Sequence, residues 1–156
     1  CTLIEEPFLL ETQTCKVLLL HGDSLCTDDV EHQAFRKVVR TQDWQLNFLR
    51  KPIKERDKVA RTVRYRSEYG KSIKPLEIMD VNQSAVVDVF NQTSARVMIH
   101  GHTHRPGIHR IELNGRDTVY RVVLGDWANA PSAAVLNNNL ITLFYGEQRE
   151  ELALAQ

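Results

Sequence analysis

Two short apolar runs end in histidine-rich turns, and this pattern limits what the chain can fold into. Lys16–Leu20 leads into His21-Gly22-Asp23, and Arg96–His100 leads into Gly101-His102-Thr103-His104. The first has the length and Val/Leu content of a buried strand, and the second reads as a strand as well. Strand ends are where sheet-based enzymes gather their functional side chains. The chain is therefore expected to be an α/β protein with its chemistry at one edge of a sheet.

The rest of the pattern supplies helices and further strands. Thr27 reads as the N-cap of a helix running to about Arg40, with Asp28 and Asp29 in its first turn. A second helix is expected over Trp44–Leu49. Pro52 suits the opening of a third, which is expected to run to about Ser67 and to break at Gly70 and Pro75. Ala85, Val86, Val89 and Phe90 fall at amphipathic helical spacing. Ile108–Leu113 and Thr118–Leu124 flank Asn114-Gly115 as a hairpin, and Ala133–Leu136 and Leu140–Tyr145 flank a turn of asparagines. The polar tail from Glu147 onward gives no clear signal.

Charge is distributed unevenly. The chain is formally neutral, yet Ala34–Lys74 holds 13 Lys or Arg against 4 Asp or Glu, which leaves a balance of −9 elsewhere. A segment that basic suits an anionic partner, or is simply a solvated basic face over an ordinary core. Trp44, Leu46, Phe48, Leu49, Ile53, Val59, Val63 and Tyr65 interleave apolar surface with it. No apolar run is longer than Val17–Leu20, far too short to cross a bilayer. Cys1, Cys15 and Cys26 are odd in number and fit no ligand spacing, which points to reduced thiols in a cytosolic protein.

Imidazoles carry the chemistry. Residues at i and i+2 on extended backbone point to the same side, so His102 and His104 are expected to converge. His21 is expected to join them from the end of another strand of the same sheet. Neutral imidazole binds Mn, Fe or Zn, so three at one sheet edge favour a metal site over a solvated turn. His100 is assigned to the strand interior as a packing or supporting residue. His32 and His109 are expected at ordinary surface positions, and Asp126 and Trp127 are expected to pack beneath the site.

The pairing of His21-Gly22-Asp23 with Gly101-His102-Thr103-His104 resembles the calcineurin-like metallophosphoesterase superfamily. The metal site of that superfamily is built from D-x-H, G-D, G-N-H/R-D, H and G-H-x-H motifs in that order. The last two are present here. The first three do not occur, and the chain begins with Cys1 rather than Met, so a preceding N-terminal portion is expected to carry them. The strings HGDSLCTDD, IMDVNQ, HGHTHRP and RVVLGDW are similar to one branch of the superfamily over about Thr2 to Tyr145. That branch hydrolyses UDP-2,3-diacylglucosamine to UMP and lipid X in lipid A biosynthesis.

The resemblance implies residues 1–156 are the C-terminal part of a four-layer metallophosphoesterase β-sandwich flanked by helices. It also implies an inserted helical lid over about residues 28–75. His21 and His102 would bind one of two divalent metals, Mn2+ by resemblance, and His104 the other; these three form the catalytic set. Asp29, Ser67, Lys74 and His102 fall at substrate-contact positions, while Lys71 stands where the family carries Asn. The partners implied are the nucleotide-lipid substrate and the cytoplasmic face of the inner membrane, held peripherally, with no nucleic acid. Because the bridging Asp, an Asn ligand and the D-x-H pair would precede this chain, the 156 residues alone are expected to be inactive.

Two other readings stay open on sequence. One is a different dinuclear phosphoesterase acting on nucleotides or phosphoproteins. The other is a basic nucleic-acid-binding module with an incidental His cluster, which predicts salt-sensitive polyanion binding and no metal dependence.

Overall fold

The computed structural model describes residues 2–75, 77–113, 115, 118–128 and 130–154, with the side chain of Lys71 outside the description. Along the chain the elements are β1 (Phe8–Glu11), β2 (Lys16–Leu20), a 3-10 turn (Asp23–Leu25), α1 (Val30–Val39), α2 (Gln42–Leu49), α3 (Ile53–Ile73), α4 (Gln83–Gln92), β3 (Val97–His100), β4 (Gly107–Ile111), β5 (Val119–Val123), β6 (Ser132–Asn137), β7 (Leu140–Tyr145) and β8 (Gln148–Ala153). They form two units: Cys1–Leu25 with Gln83–Gln156, and Cys26–Asn82. The chain is thus mixed α/β, as its pattern predicts.

The first unit is built on a five-stranded sheet of order β1-β2-β3-β5-β4 and a three-stranded meander, β6-β7-β8. The central strands β2, β3 and β5 run parallel, while β1 and β4 add antiparallel edges. Parallel centres must be covered on both faces, which is why β2 and β3 read as near-continuous apolar runs. Val17, Val97 and Val122, fully buried, share one cluster with Ile141, Leu143, Leu152 and Leu154 of the meander segment. Leu18 and Met98 alternate with them and are equally buried, and Val86 and Phe90 are the buried side of α4. Each such aliphatic side chain stabilises the fold by about 1.5–3 kcal/mol. Leu143→Ala at the cluster would cost about 2–5 kcal/mol.

In the second unit, Asp29 caps α1 by accepting the His32 N–H at 3.0 Å. Thr41 caps α2, accepting the Trp44 N–H, and Pro52 precedes α3. The chain ends of this unit are tied by Asn82, whose amide donates to both carboxylate oxygens of Asp28 at 3.0 Å. Among the described residues no helix is long and apolar enough to cross a membrane.

Several expectations need correction. The N-cap of α1 is Asp29, not Thr27: three potential caps compete, and only Asp29 reaches the His32 amide. Helix α3 continues through Gly70 to Ile73, because one glycine costs only about 1 kcal/mol against a 21-residue helix. The tail contributes β8, a polar strand that the pairing with β7 holds in place. In the first hairpin, Asn114 of the turn lies outside the described residues, although β4 and β5 pair as expected.

Candidate active site

Because β2 and β3 are parallel neighbours with Leu20 opposite His100, the turns that follow them emerge side by side. Gly101 N–H donates to the His21 carbonyl at 3.0 Å, which links the two turns directly. The result brings the rings of His21 and His102 to 5.0 Å between centroids, tilted by 56°. Asp23, buried beneath the first turn, places Oδ1 3.3 Å from Nδ1 of the half-exposed His21. The carboxylate is thus a charged neighbour on the Nδ1 side of the ring, leaving Nε2 on the other side. On the other side, Glu6 accepts the His21 backbone N–H.

The expected extended geometry of the second turn is absent. His102 and His104 both have left-handed backbones, at φ 62° and 53°. Such conformations are uncommon outside glycine, although His is among the residues that visit them, and they gather at functional sites. His102 and His104 therefore do not converge through a strand pleat. His104 lies beside Asp126, with Nδ1 3.8 Å from Oδ2. Among the described residues, no group of three or more His, Cys, Asp or Glu is arranged to hold a metal ion. The residues nonetheless suit a divalent cation as partial ligands: two imidazoles face each other at a sheet end, and a buried carboxylate orients one of them.

His100 is fully buried, as its strand position implies. Its Nδ1 lies 2.8 Å from the Gly101 carbonyl and its Nε2 3.1 Å from the buried Arg121 guanidinium. The one sequence signal for Arg121 is a charge inside the apolar Val119–Val123 strand. His109 is exposed as expected, whereas His32 is half-buried. Trp127 does not pack beneath the site, being 77% exposed.

Of the expected substrate contacts, Asp29 and Lys74 are brought together. Lys74 Nζ donates to Asp29 Oδ1 at 2.7 Å and also lies 3.0 Å from Glu31 Oε2. Burial pushes the Asp29 carboxyl up, but the Lys74 ammonium and the His32 N–H more than reverse this, leaving it below its ordinary value. The Asp29 hydrogen bond raises Lys74 above its ordinary value against the opposing effect of burial, with Glu31 adding to the rise. Ser67 lies elsewhere, lining a groove of about 790 Å³ with Phe35, Val39, Trp44, Phe48, Val63 and Arg64 among its walls. Trp44 and Phe48 stack there at 5.1 Å. The Lys71 side chain lies outside the described residues.

The α/β sheet thus places two imidazoles side by side at the ends of parallel strands, an arrangement with partial metal-ligand character. In comparison with known proteins, the chain is similar to proteins named UDP-2,3-diacylglucosamine hydrolase. It is 46% identical over 125 residues to the protein of that name from Bordetella pertussis, covering 80% of this chain and 48% of that protein. It is 41% identical over 142 residues to the one from Proteus mirabilis, covering 91% of this chain and 59% of that protein. The Escherichia coli protein is 45% identical over 126 residues, 81% of this chain and 52% of its own length. The chain spans about half the length of these curated relatives. No family model matches. Among solved structures, a Vps29 variant from Entamoeba histolytica aligns with a TM-score of 0.42 at 14% identity, over 97% of this chain and 62% of that one.

Proposed function

We propose that this chain supplies part of the active site of an enzyme that hydrolyses the diphosphate bond of UDP-2,3-diacylglucosamine, giving UMP and the 2,3-diacylglucosamine 1-phosphate known as lipid X. The observation that carries the reading is the His21–His102 pair at adjacent ends of parallel strands, in a chain 41–46% identical to proteins of that name. His21 and His102 would hold a divalent cation, with His104 directed to a second, and Mn2+ suits such nitrogen and oxygen donors. When bound, a metal pair supplies Lewis-acid charge for in-line attack of water on a phosphoryl group. The protein's own contribution is orientation: Asp23 holds the His21 ring, and the Gly101 amide fixes the spacing of the two turns.

The helical unit supplies the complementary chemistry. Its basic balance suits diphosphate and anionic headgroups, while Leu46, Leu49, Tyr65, Tyr69 and Ile73 are exposed apolar side chains on the same helices. This supports peripheral association with an anionic membrane surface, at the cytoplasmic face of the inner membrane. The groove beside Ser67 offers apolar walls and the cation of Arg64 to an acylated, phosphorylated molecule. The test is Mn2+-dependent UMP release from UDP-2,3-diacylglucosamine by this chain joined to the portion of the Bordetella pertussis relative that it does not match. Release of inorganic phosphate from a simple nucleotide, with no UMP from the nucleotide-lipid, would point to a different phosphoesterase.

A further inference from the structure

The buried ring of His100 bears on both histidine turns at once. Its ring touches the first turn through Gly22. A Cβ added to Gly22 would stand 2.7 Å from His100 Nδ1 and 3.2 Å from Cγ, so the turn closes onto the ring with no room for a side chain. The same Nδ1 lies 2.8 Å from the carbonyl of Gly101, the first residue of the second turn. From behind, Nε2 meets the Arg121 guanidinium on β5 at 3.1 Å. The ring is 1% exposed and Arg121 5% exposed, so water does not compete for these contacts.

The partners dictate the protonation pattern. A carbonyl only accepts, so Nδ1 must carry a proton to bond Gly101; a guanidinium only donates, so Nε2 must offer its lone pair. Both bonds form only in the neutral ring with its proton on Nδ1.

We propose that His100 is a positioning residue, a buried strut that sets the distance between the His21 and His102 turns and works only as the Nδ1–H tautomer, with Arg121 as the group that selects it. The inference rests on the proposed role of His21 and His102 as ligands, but its first readout does not depend on metal. Nitrogen-15 NMR of the metal-free protein should show His100 protonated on Nδ1 and unprotonated on Nε2. In Arg121→Leu the Gly101 carbonyl alone is left to fix the proton, so that preference should weaken measurably, and the Gly101 amide should exchange faster with solvent. A ring protonated on Nε2 in the wild type, or an unchanged tautomer and Gly101 exchange rate in Arg121→Leu, overturns the proposal.

The second readout is Mn2+ affinity, followed by electron paramagnetic resonance of the free ion. His100→Leu keeps the volume and loses both polar contacts, and should weaken binding ~10- to 100-fold, the usual effect of removing a group that orients a ligand. His100→Asn keeps a donor for the Gly101 carbonyl and should recover part of that loss. Wild-type affinity in His100→Leu overturns the strut. If the wild type binds no Mn2+, the ligand reading of His21 and His102 fails, and the tautomer and exchange measurements still decide the strut.

Discussion

The ammonium of Lys74, at the C-terminal end of α3, donates at 2.7 Å to the same Asp29 oxygen that caps α1. One carboxylate oxygen therefore serves the start of one helix and the end of another. Asp29 is held below its ordinary 3.8, with burial outweighed by its donors, and Lys74 is held above its ordinary 10.5 chiefly by its bond to Asp29. A lowered carboxyl contributes stability that is present above its unfolded value and is lost as pH falls through the folded one. A raised ammonium contributes stability present below its unfolded value and lost as pH rises through the folded one. The clip should be intact across neutral pH, weakening in acid below about 3.9 and in alkali above about 10.4. Circular dichroism melts of Lys74→Met against wild type should show a gap that is constant near neutrality and narrows at both extremes. Parallel profiles at all pH values would show that the clip contributes nothing.

The cap and the ion pair at Asp29 can be separated. Asp29→Asn keeps a side-chain oxygen for the His32 amide, whereas Asp29→Ala loses both functions. The alanine variant is expected to cost the cap's typical ~0.5–2 kcal/mol beyond the loss shared by both. Equal destabilisation of the two in denaturant titrations would contradict the assignment of Asp29 as the N-cap.

Gly22 combines a φ of 108° with contact against the buried His100 ring. Gly22→Ala is both strained and overpacked, and should destabilise the sheet unit on the order of 1–3 kcal/mol. The largest NMR shift changes should fall at His100 and Gly101. A neutral substitution would mean that the turn does not sit against His100.

His102→Asn is a cleaner probe of the site than an alanine, since Asn tolerates the left-handed backbone that His102 adopts. In this chain joined to the unmatched portion of the Bordetella pertussis relative, metal-dependent turnover should fall by more than about 100-fold with the melting temperature little changed. Turnover near wild type with metal still bound would remove His102 from the ligand set.

Arg64 lines the groove of the helical unit together with Ser67. Arg64→Glu is expected to raise KM for UDP-2,3-diacylglucosamine and to weaken association with anionic vesicles on the order of tenfold, at about 1 kcal/mol per basic residue. Unchanged KM and unchanged vesicle association would make this face an ordinary solvated one.

Apolar continuity made β2 and β3 legible, and the His–Gly turns after them followed from where those strands had to end. The periodicity of Val86 and Phe90 did the same for α4. What sequence hid was set by tertiary context. β8 reads as a polar tail because only Leu152 of the strand is buried, the rest being held by backbone pairing to β7. The bends at His102 and His104 carry no signal, since left-handed backbone outside glycine is fixed by surrounding contacts rather than by residue type. The partnership of His100 with Arg121 needs β3 and β5 to be neighbours, a topology that no local pattern specifies.

The most direct test of the central claim is UMP release from UDP-2,3-diacylglucosamine in the presence of Mn2+. It should be measured with the 156-residue chain alone and with this chain joined to the portion of the Bordetella pertussis relative that it does not match. Here His21 and His102 come together, and among the described residues no group of three or more His, Cys, Asp or Glu is arranged to hold a metal ion. Negligible release is therefore expected from the chain alone, and robust, Mn2+-dependent release from the joined protein that His102→Asn abolishes. Robust release from the chain alone, or a folded joined protein whose activity ignores His102→Asn, would contradict it.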